Sequence, residues 1–171
     1  LTVNCAGIGT PGRILGRKGP LPLETYKNVI MVNLVGTFNV MKAVADAMQH
    51  NDGDEDGARG LIINTSSVAG YEGQVGQAAY ASSKGGVIAF TRVLAKQSGD
   101  WSITVNTIAP GSTASDPDVD EGRYQGRVPD RSIKRVEQPE DLVGAGVFLM
   151  SSESDFMTGQ TMVVGGGAVM H

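Results

Sequence analysis

The sequence holds 171 residues with a formal net charge of −4, its basic residues scattered, so one acidic domain with a sizeable core is expected and neither nucleic acid nor an anionic membrane is the main partner. Cys5 is the only cysteine and His50 and His171 are the only histidines, which excludes an internal disulfide, fits a reducing, cytoplasmic setting and argues against a bound metal. No apolar run reads as long enough to span a membrane, and the unusual number is the 24 glycines, which fall in loops after apolar runs.

Leu1-Thr2-Val3-Asn4-Cys5-Ala6-Gly7 reads as a buried strand ending in a glycine turn. A domain seldom opens on a core strand, so the sequence is expected to be a truncated piece of a longer chain. Gly7-Ile8-Gly9-Thr10-Pro11-Gly12 matches G-x-G-x-x-G, but the context of a dinucleotide fingerprint is missing. Arg13 to Pro22 has no helical period, and no acidic residue closes a second strand where a ribose would need it. A loop rich in glycine is the better account. From Pro22 to about Gln49, Leu23, Tyr26, Val29, Ile30, Leu34, Phe38, Met41, Val44 and Met48 predict one long helix. Asn33 in its middle suits either a polar packing face or a residue that holds a water or a backbone distortion, and spacing alone leaves both open.

Residues 50–60 read as a solvated acidic loop without the spacing of a calcium site. Gly60-Leu61-Ile62-Ile63-Asn64-Thr65 then predicts a strand that delivers Ser66 and Ser67 to its end. A Gly- and Gln-rich loop leads into a helix that carries Tyr80 and Lys84 and stops near Gly99. Trp101 to Ala109 is a further strand, closed by Pro110-Gly111. Ser112 to Val136 is polar with weak periodicity, which predicts a lid or a disordered segment. Pro139-Glu140-Asp141 opens a last helix, and Thr161-Met162-Val163-Val164 is a final strand before Gly165-Gly166-Gly167. This alternation predicts an α/β fold, a parallel sheet flanked by helices.

The chemistry concentrates between Ser66 and Lys84. Tyr80 and Lys84 sit four apart and share a helix face. A phenol titrates near 10, so acting as a base near neutrality needs a shift of about 3 units, or about 4 kcal/mol, toward the phenolate. A nearby ammonium supplies part of that, and a serine hydroxyl can hold a substrate oxygen while charge develops on it. Y-x-x-x-K alone occurs by chance in many surface helices; the whole string of serine, glycine loop, tyrosine, lysine and Pro-Gly is far more specific. A serine hydrolase is a poor fit, because no histidine is near and no G-x-S-x-G turn presents either serine.

These motifs resemble the short-chain dehydrogenase/reductase family, and the resemblance covers essentially the whole chain. Asn4-Cys5-Ala6-Gly7 matches the N-A-G segment, Asn33 the catalytic asparagine, Ser67 the serine, and Tyr80 and Lys84 the tyrosine and lysine. Pro110-Gly111 matches the nicotinamide-side loop, with Thr113 and Ser115 in it. The resemblance implies a Rossmann-type sheet and NAD as cofactor, with NADP left open. It makes Tyr80 the general acid/base, Ser67 the group that polarises the substrate oxygen, Lys84 a ribose ligand and Asn33 the anchor of a water relay. Asn4, Ala6, Gly7, Pro110, Gly111, Thr113 and Ser115 would then line the cofactor, and Gln77 the substrate.

The first two-thirds are similar to type 2 3-hydroxyacyl-CoA dehydrogenases, also known for hydroxysteroid oxidation, above all in Glu72-Gly73-Gln74-Val75-Gly76-Gln77-Ala78-Ala79-Tyr80. That implies an acyl-CoA or steroid-like alcohol or ketone as substrate, a homotetramer or dimer built through helices near 24–49 and 78–98, and a mitochondrial matrix as an alternative compartment. Three departures stand out. The glycine-rich front of the family pattern, roughly 80 residues of βα units, is not in the sequence. The usual threonine of the Pro-Gly loop is Ser115, and the aspartate of the terminal D-G-G is Gly165. The missing front admits a second expectation, a noncatalytic subunit or binding partner.

Overall fold

The computed structural model describes residues 1–17, 19–116 and 118–170; Lys18, Pro117 and His171 lie outside the described residues. Strands β1 (Thr2–Asn4), β4 (Gly60–Thr65), β5 (Ile103–Pro110) and β6 (Thr161–Val164) form one parallel sheet in that order. Strand β4 shows why both faces are covered. Its neighbours Ile62 and Ile63 point to opposite sides, as a pleat demands. Ile62 packs with Met41, Ala45, Met48, Ala95, Ile103 and Val105 under helices α2 (Thr37–Met48) and α3 (Ala78–Ser98). Ile63 packs with Ile108 and Leu149 under α5 (Glu140–Leu149). A parallel sheet buried on both faces reads as a continuous apolar run rather than an alternating one, which is how Leu61-Ile62-Ile63 looks in sequence.

A polar thread runs through this apolar layer. Asn4 Nδ2 donates to Asn64 Oδ1 at 2.8 Å, Asn64 Nδ2 donates to Thr91 Oγ1 at 2.8 Å, and the Thr107 hydroxyl donates to the same oxygen at 3.1 Å. It joins β1, β4, β5 and α3 side chain to side chain. Asn64, Thr91 and Thr107 are all buried, so each partner is obligatory.

No helix follows the glycine loop, in agreement with the loop reading of Gly7 to Gly12. The loop instead docks on the Gly76 turn, with Gly12 N–H donating to the Gly76 carbonyl at 2.8 Å. Beyond it, the stretch read as structureless carries a short antiparallel hairpin, β2 (Leu15–Gly16) and β3 (Gly19–Pro20). Within the polar 112–136 segment, the described residues carry α4 (Glu121–Gln125) and a 3-10 turn over Val128–Asp130.

The helix predicted from Pro22 to Gln49 is present but not uniform. α1 (Leu23–Ile30) passes into a π-helical segment over Met31–Gly36 before α2 begins. The whole run, Leu23–Met48, is 26 residues and by length and composition apolar enough to cross a membrane, which corrects the expectation that no such run exists. Its packing on α3 and β4, through Met41, Ala45 and Met48, makes it a layer helix of the α/β core. The π segment follows from Asn33, which has no exposed surface. Its Oδ1 accepts the Ile8 N–H at 2.8 Å, and its Nδ2 donates to the Ile8 carbonyl at 2.9 Å and to Ser83 Oγ at 3.1 Å. The Thr37 hydroxyl donates to the Asn33 carbonyl at 2.7 Å, satisfying an acceptor in the widened turn. Of the two readings open in sequence, the backbone distortion is the one observed.

Two substitutions test these polar joints. Thr91→Val keeps the shape but strips Asn64 and Thr107 of a buried acceptor, and chemical denaturation is expected to show a loss of about 1–3 kcal/mol. Asn33→Asp turns a donor into an acceptor against the Ile8 carbonyl, and a stability loss of about 2–3 kcal/mol is expected from the same measurement.

Candidate active site

The carboxyl ends of β4 and β5 lie side by side in the parallel sheet, which is where open α/β sheets bind ligands. β4 ends at Thr65, and the two serines after it part company. The Ser66 hydroxyl donates to the Lys84 carbonyl at 2.8 Å, and the Ser66 N–H donates to the Ile108 carbonyl. It is a buried splice between β4, β5 and α3. Ser67 is extended and caps the 3-10 turn Val68–Gly70, its Oγ accepting the Ala69 N–H at 3.2 Å. That turn sits hard against α3: a Cβ at Gly70 would lie 3.0 Å from the Gly85 nitrogen and the Lys84 carbonyl carbon. Glycine is required there for close approach, and the approach aims Ser67 at Tyr80.

Tyr80 and Lys84 lie one turn apart on α3. Burial pushes the Tyr80 phenol above its ordinary value, and hydrogen bonding with the Ser67 hydroxyl pulls it back. Lys84 is 4% exposed and its ammonium is pushed down by burial, with Cys5 partly opposing. Its Nζ donates to the Thr65 carbonyl at 2.8 Å and stands 5.7 Å from the Tyr80 ring centroid. The counterweight on the phenol in this arrangement is therefore Ser67, where the spacing alone pointed to Lys84.

The glycine loop closes the other side. A Cβ at Gly7 would lie 3.4 Å from Lys84 Nζ and 3.5 Å from Asn33 Oδ1, and one at Gly9 would lie 3.8 Å from the Tyr80 ring. Gly7 thus packs beside both Lys84 and Asn33. Gln77 lies at the start of α3 with its Oε1 buried and without a hydrogen-bond partner, beside a groove lined by Arg13, Ile14, Val75 and Ala81.

Ser67, Tyr80, Lys84, Gly7 and the Asn33 side chain are brought together. Others among the expected site residues face elsewhere. Asn4 turns its amide into the sheet toward Asn64, and Ala6 is exposed on the loop. Pro110 ends β5 against Val164, while Gly111 and Thr113 direct their N–H and hydroxyl to Glu137. Ser115 is exposed, its N–H donating to the Thr113 carbonyl. The Thr65 carbonyl, Ser83, Arg131 and Glu137 were not anticipated. Ser83 has a local signal, three residues after Tyr80 on the same helix; a backbone carbonyl and a carboxylate 26 positions from its partner have none.

A family model described as Enoyl-(Acyl carrier protein) reductase matches residues 1–169. The chain is 40% identical to a 3-hydroxyacyl-CoA dehydrogenase type-2 of Rattus norvegicus over 99% of its own length and 66% of that protein's. It superposes on a 3-hydroxyacyl-CoA dehydrogenase type-2 from Mycobacterium avium with a TM-score of 0.89 at 33% identity, covering 99% of this chain and 67% of that one. A 3-oxoacyl-[acyl-carrier protein] reductase with bound NAD from Brucella melitensis gives 0.84 at 35% identity, covering 99% and 62%. The chain spans about two-thirds or less of the length of the curated relatives it matches. Matched from end to end in sequence and superposed on two such proteins, the chain belongs to the short-chain dehydrogenase/reductase family.

Proposed function

We propose that the protein is an oxidoreductase that interconverts a secondary alcohol and a ketone with NAD, on an acyl thioester of the 3-hydroxyacyl-CoA kind or a steroid-like analogue. The observation that carries this is the convergence of Ser67, Tyr80 and buried Lys84 at the carboxyl end of β4, with Gly7 against the lysine. The names of the similar proteins, hydroxyacyl-CoA dehydrogenase and oxoacyl reductase, support the substrate class.

The residues present fit a dinucleotide's nicotinamide end. Lys84 and Tyr80 would hold the ribose beside Gly7, and a bound nicotinamide ring would supply or accept the hydride; Asn4, Ala6, Pro110, Gly111, Thr113 and Ser115, whose polar groups are turned elsewhere, would border it only through their loops. Tyr80, kept neutral by burial, is poised to donate its proton to a carbonyl oxygen in the reducing direction. In the oxidising direction it must first reach the phenolate, so a cationic group nearby or a higher pH favours that direction. Ser67 holds the substrate oxygen and lowers the cost of the phenolate. Asn33 acts through Ile8, holding the glycine loop beside Lys84 and Tyr80. Gln77, with a buried acceptor unpaired, faces the substrate side.

The same reading includes a homo-oligomer. Phe38, Val40 and Val93 are about half exposed on α2 and α3, around an apolar groove lined by Leu34, Val35, Ala89 and Phe90. Family members associate through these helices, and an apolar face of this kind suits a second copy.

Titration with reduced nicotinamide dinucleotide, followed by fluorescence, separates the enzyme from a noncatalytic binding partner: failure of the full chain to bind decides for the latter. Tyr80→Phe is expected to lower kcat by about 100- to 10,000-fold while stability changes by no more than about 1.5 kcal/mol. Near-normal turnover would remove Tyr80 from the mechanism. Ser67→Ala deletes the interaction that pulls the phenol down, so the limb of the alcohol-oxidation profile that rises with pH is expected to move to higher pH. An unmoved or acid-shifted limb contradicts the role given to Ser67.

A further inference from the structure

The loop after β5, Gly111 to Thr113, lies beside the end of β4 and is held by a residue from the far end of the 112–136 segment. Glu137 Oε1 accepts the Thr113 hydroxyl at 2.6 Å and, at 3.1 Å, the Gly111 N–H, which it shares with the Val164 carbonyl at 2.8 Å; the Glu137 backbone carbonyl accepts the Ala114 N–H at 2.8 Å. Glu137 is 5% exposed and Arg131 3%. Arg131 Nη2 stands 3.7 Å from Glu137 Oε2 and donates to the Ser112 carbonyl at 2.5 Å. A buried ion pair is poor evidence for stability, because desolvation offsets much of the attraction. This one is better explained by what it holds in place: both of its members grip the same short loop.

The fit on the opposite side is equally specific. Glu137 Oε2 has no hydrogen-bond partner and lies 2.5 Å from where a Gly111 Cβ would be, with the Gly165 Cα 3.0 Å from that point. The carboxylate is wedged between the loop after β5 and the loop after β6. A Cβ built on Gly165 lies 3.6 Å from the Gly111 nitrogen and 3.2 Å from Val68 Cγ1. A carboxylate at position 165 would therefore reach the same Gly111 N–H after a small shift of Val68. That is the position at which the D-G-G pattern has its aspartate.

We propose that Glu137 is the positioning residue of the Gly111–Thr113 loop, supplying across the 112–136 segment the carboxylate that position 165 lacks, with Arg131 as its counter-ion. The functional consequence rests on the dehydrogenase reading: the loop borders the nicotinamide end of the site, so Glu137 sets cofactor affinity without touching the reacting atoms. It also ties both ends of the 112–136 segment to that loop, so that segment and loop move together.

The test is a double-mutant cycle in the full chain with Glu137→Ala, Gly165→Asp and both together, reading Tm and the Kd for NADH. Glu137→Ala is expected to weaken NADH binding about tenfold, as for one buried hydrogen-bonded group removed. Gly165→Asp alone is expected to lower Tm, because two carboxylates then compete for one N–H. The double variant is expected to recover toward the parent in both readouts, a coupling that independent sites do not show. Glu137→Gln, which keeps an oxygen for the two donors, is expected to fall between and stands in for Glu137→Ala if that variant fails to fold. Additive Tm changes overturn the proposal, as does an unchanged Kd for NADH in a destabilised Glu137→Ala. A parent protein that binds no NADH, in which the two substitutions still couple, refutes the dehydrogenase reading and upholds the Glu137 clamp.

Discussion

Asn33 is the joint on which the site depends. Its amide grips both backbone groups of Ile8 and reaches Ser83 on α3, so one side chain locks the glycine loop, the first long helix and the helix of Tyr80 and Lys84 together. Asn33 sits inside the π segment, its side chain turned to Ile8 and Ser83 and its carbonyl accepting the Thr37 hydroxyl. The loop it holds brings Gly7 against the lysine, a notional Cβ there lying 3.4 Å from the Lys84 ammonium.

The second constraint is electrostatic. Tyr80 and Lys84 are both pushed toward their neutral forms by burial, in opposite directions on the pH scale: the phenol holds its proton longer and the ammonium releases it sooner. Each is answered by a neighbour, Ser67 for the phenol and Cys5 for the ammonium. Burial keeps the phenol protonated, and the Ser67 hydroxyl is what opposes it. The Thr65 carbonyl fixes where the lysine points, and so strand β4 orients the ammonium as well as delivering the serine.

Much of this was legible from residue order. The run Gly60 to Thr65 announced a strand that delivers two serines, the spacing of Tyr80 and Lys84 announced a shared helix face, and the lack of a helical period from Arg13 to Pro22 argued against a helix directly after Gly12. The hairpin at Leu15 to Pro20 was not legible, because two-residue strands carry no periodicity. The helical turns within the 112–136 segment were hidden too, since Glu137 and Arg131 hold its neighbouring loop by contacts across long stretches of chain. The apolar run from Leu23 to Met48 was underestimated because Asn33 and Gly36 interrupt it in sequence without ending the helix.

Local chemistry decided by the sequence alone comprises the α/β alternation, the identity of the serine, tyrosine and lysine, and the glycines that let loops approach a ligand. Those follow from short-range rules: periodicity, caps and the freedom of a residue without a Cβ. The tertiary structure decided that Ser66 is taken up by the Lys84 carbonyl, which way Lys84 turns, and that the Asn33 amide grips Ile8. It also decided that a glutamate near the last helix governs the loop after β5. Such choices depend on distances between residues far apart in the chain, and a linear pattern does not carry them.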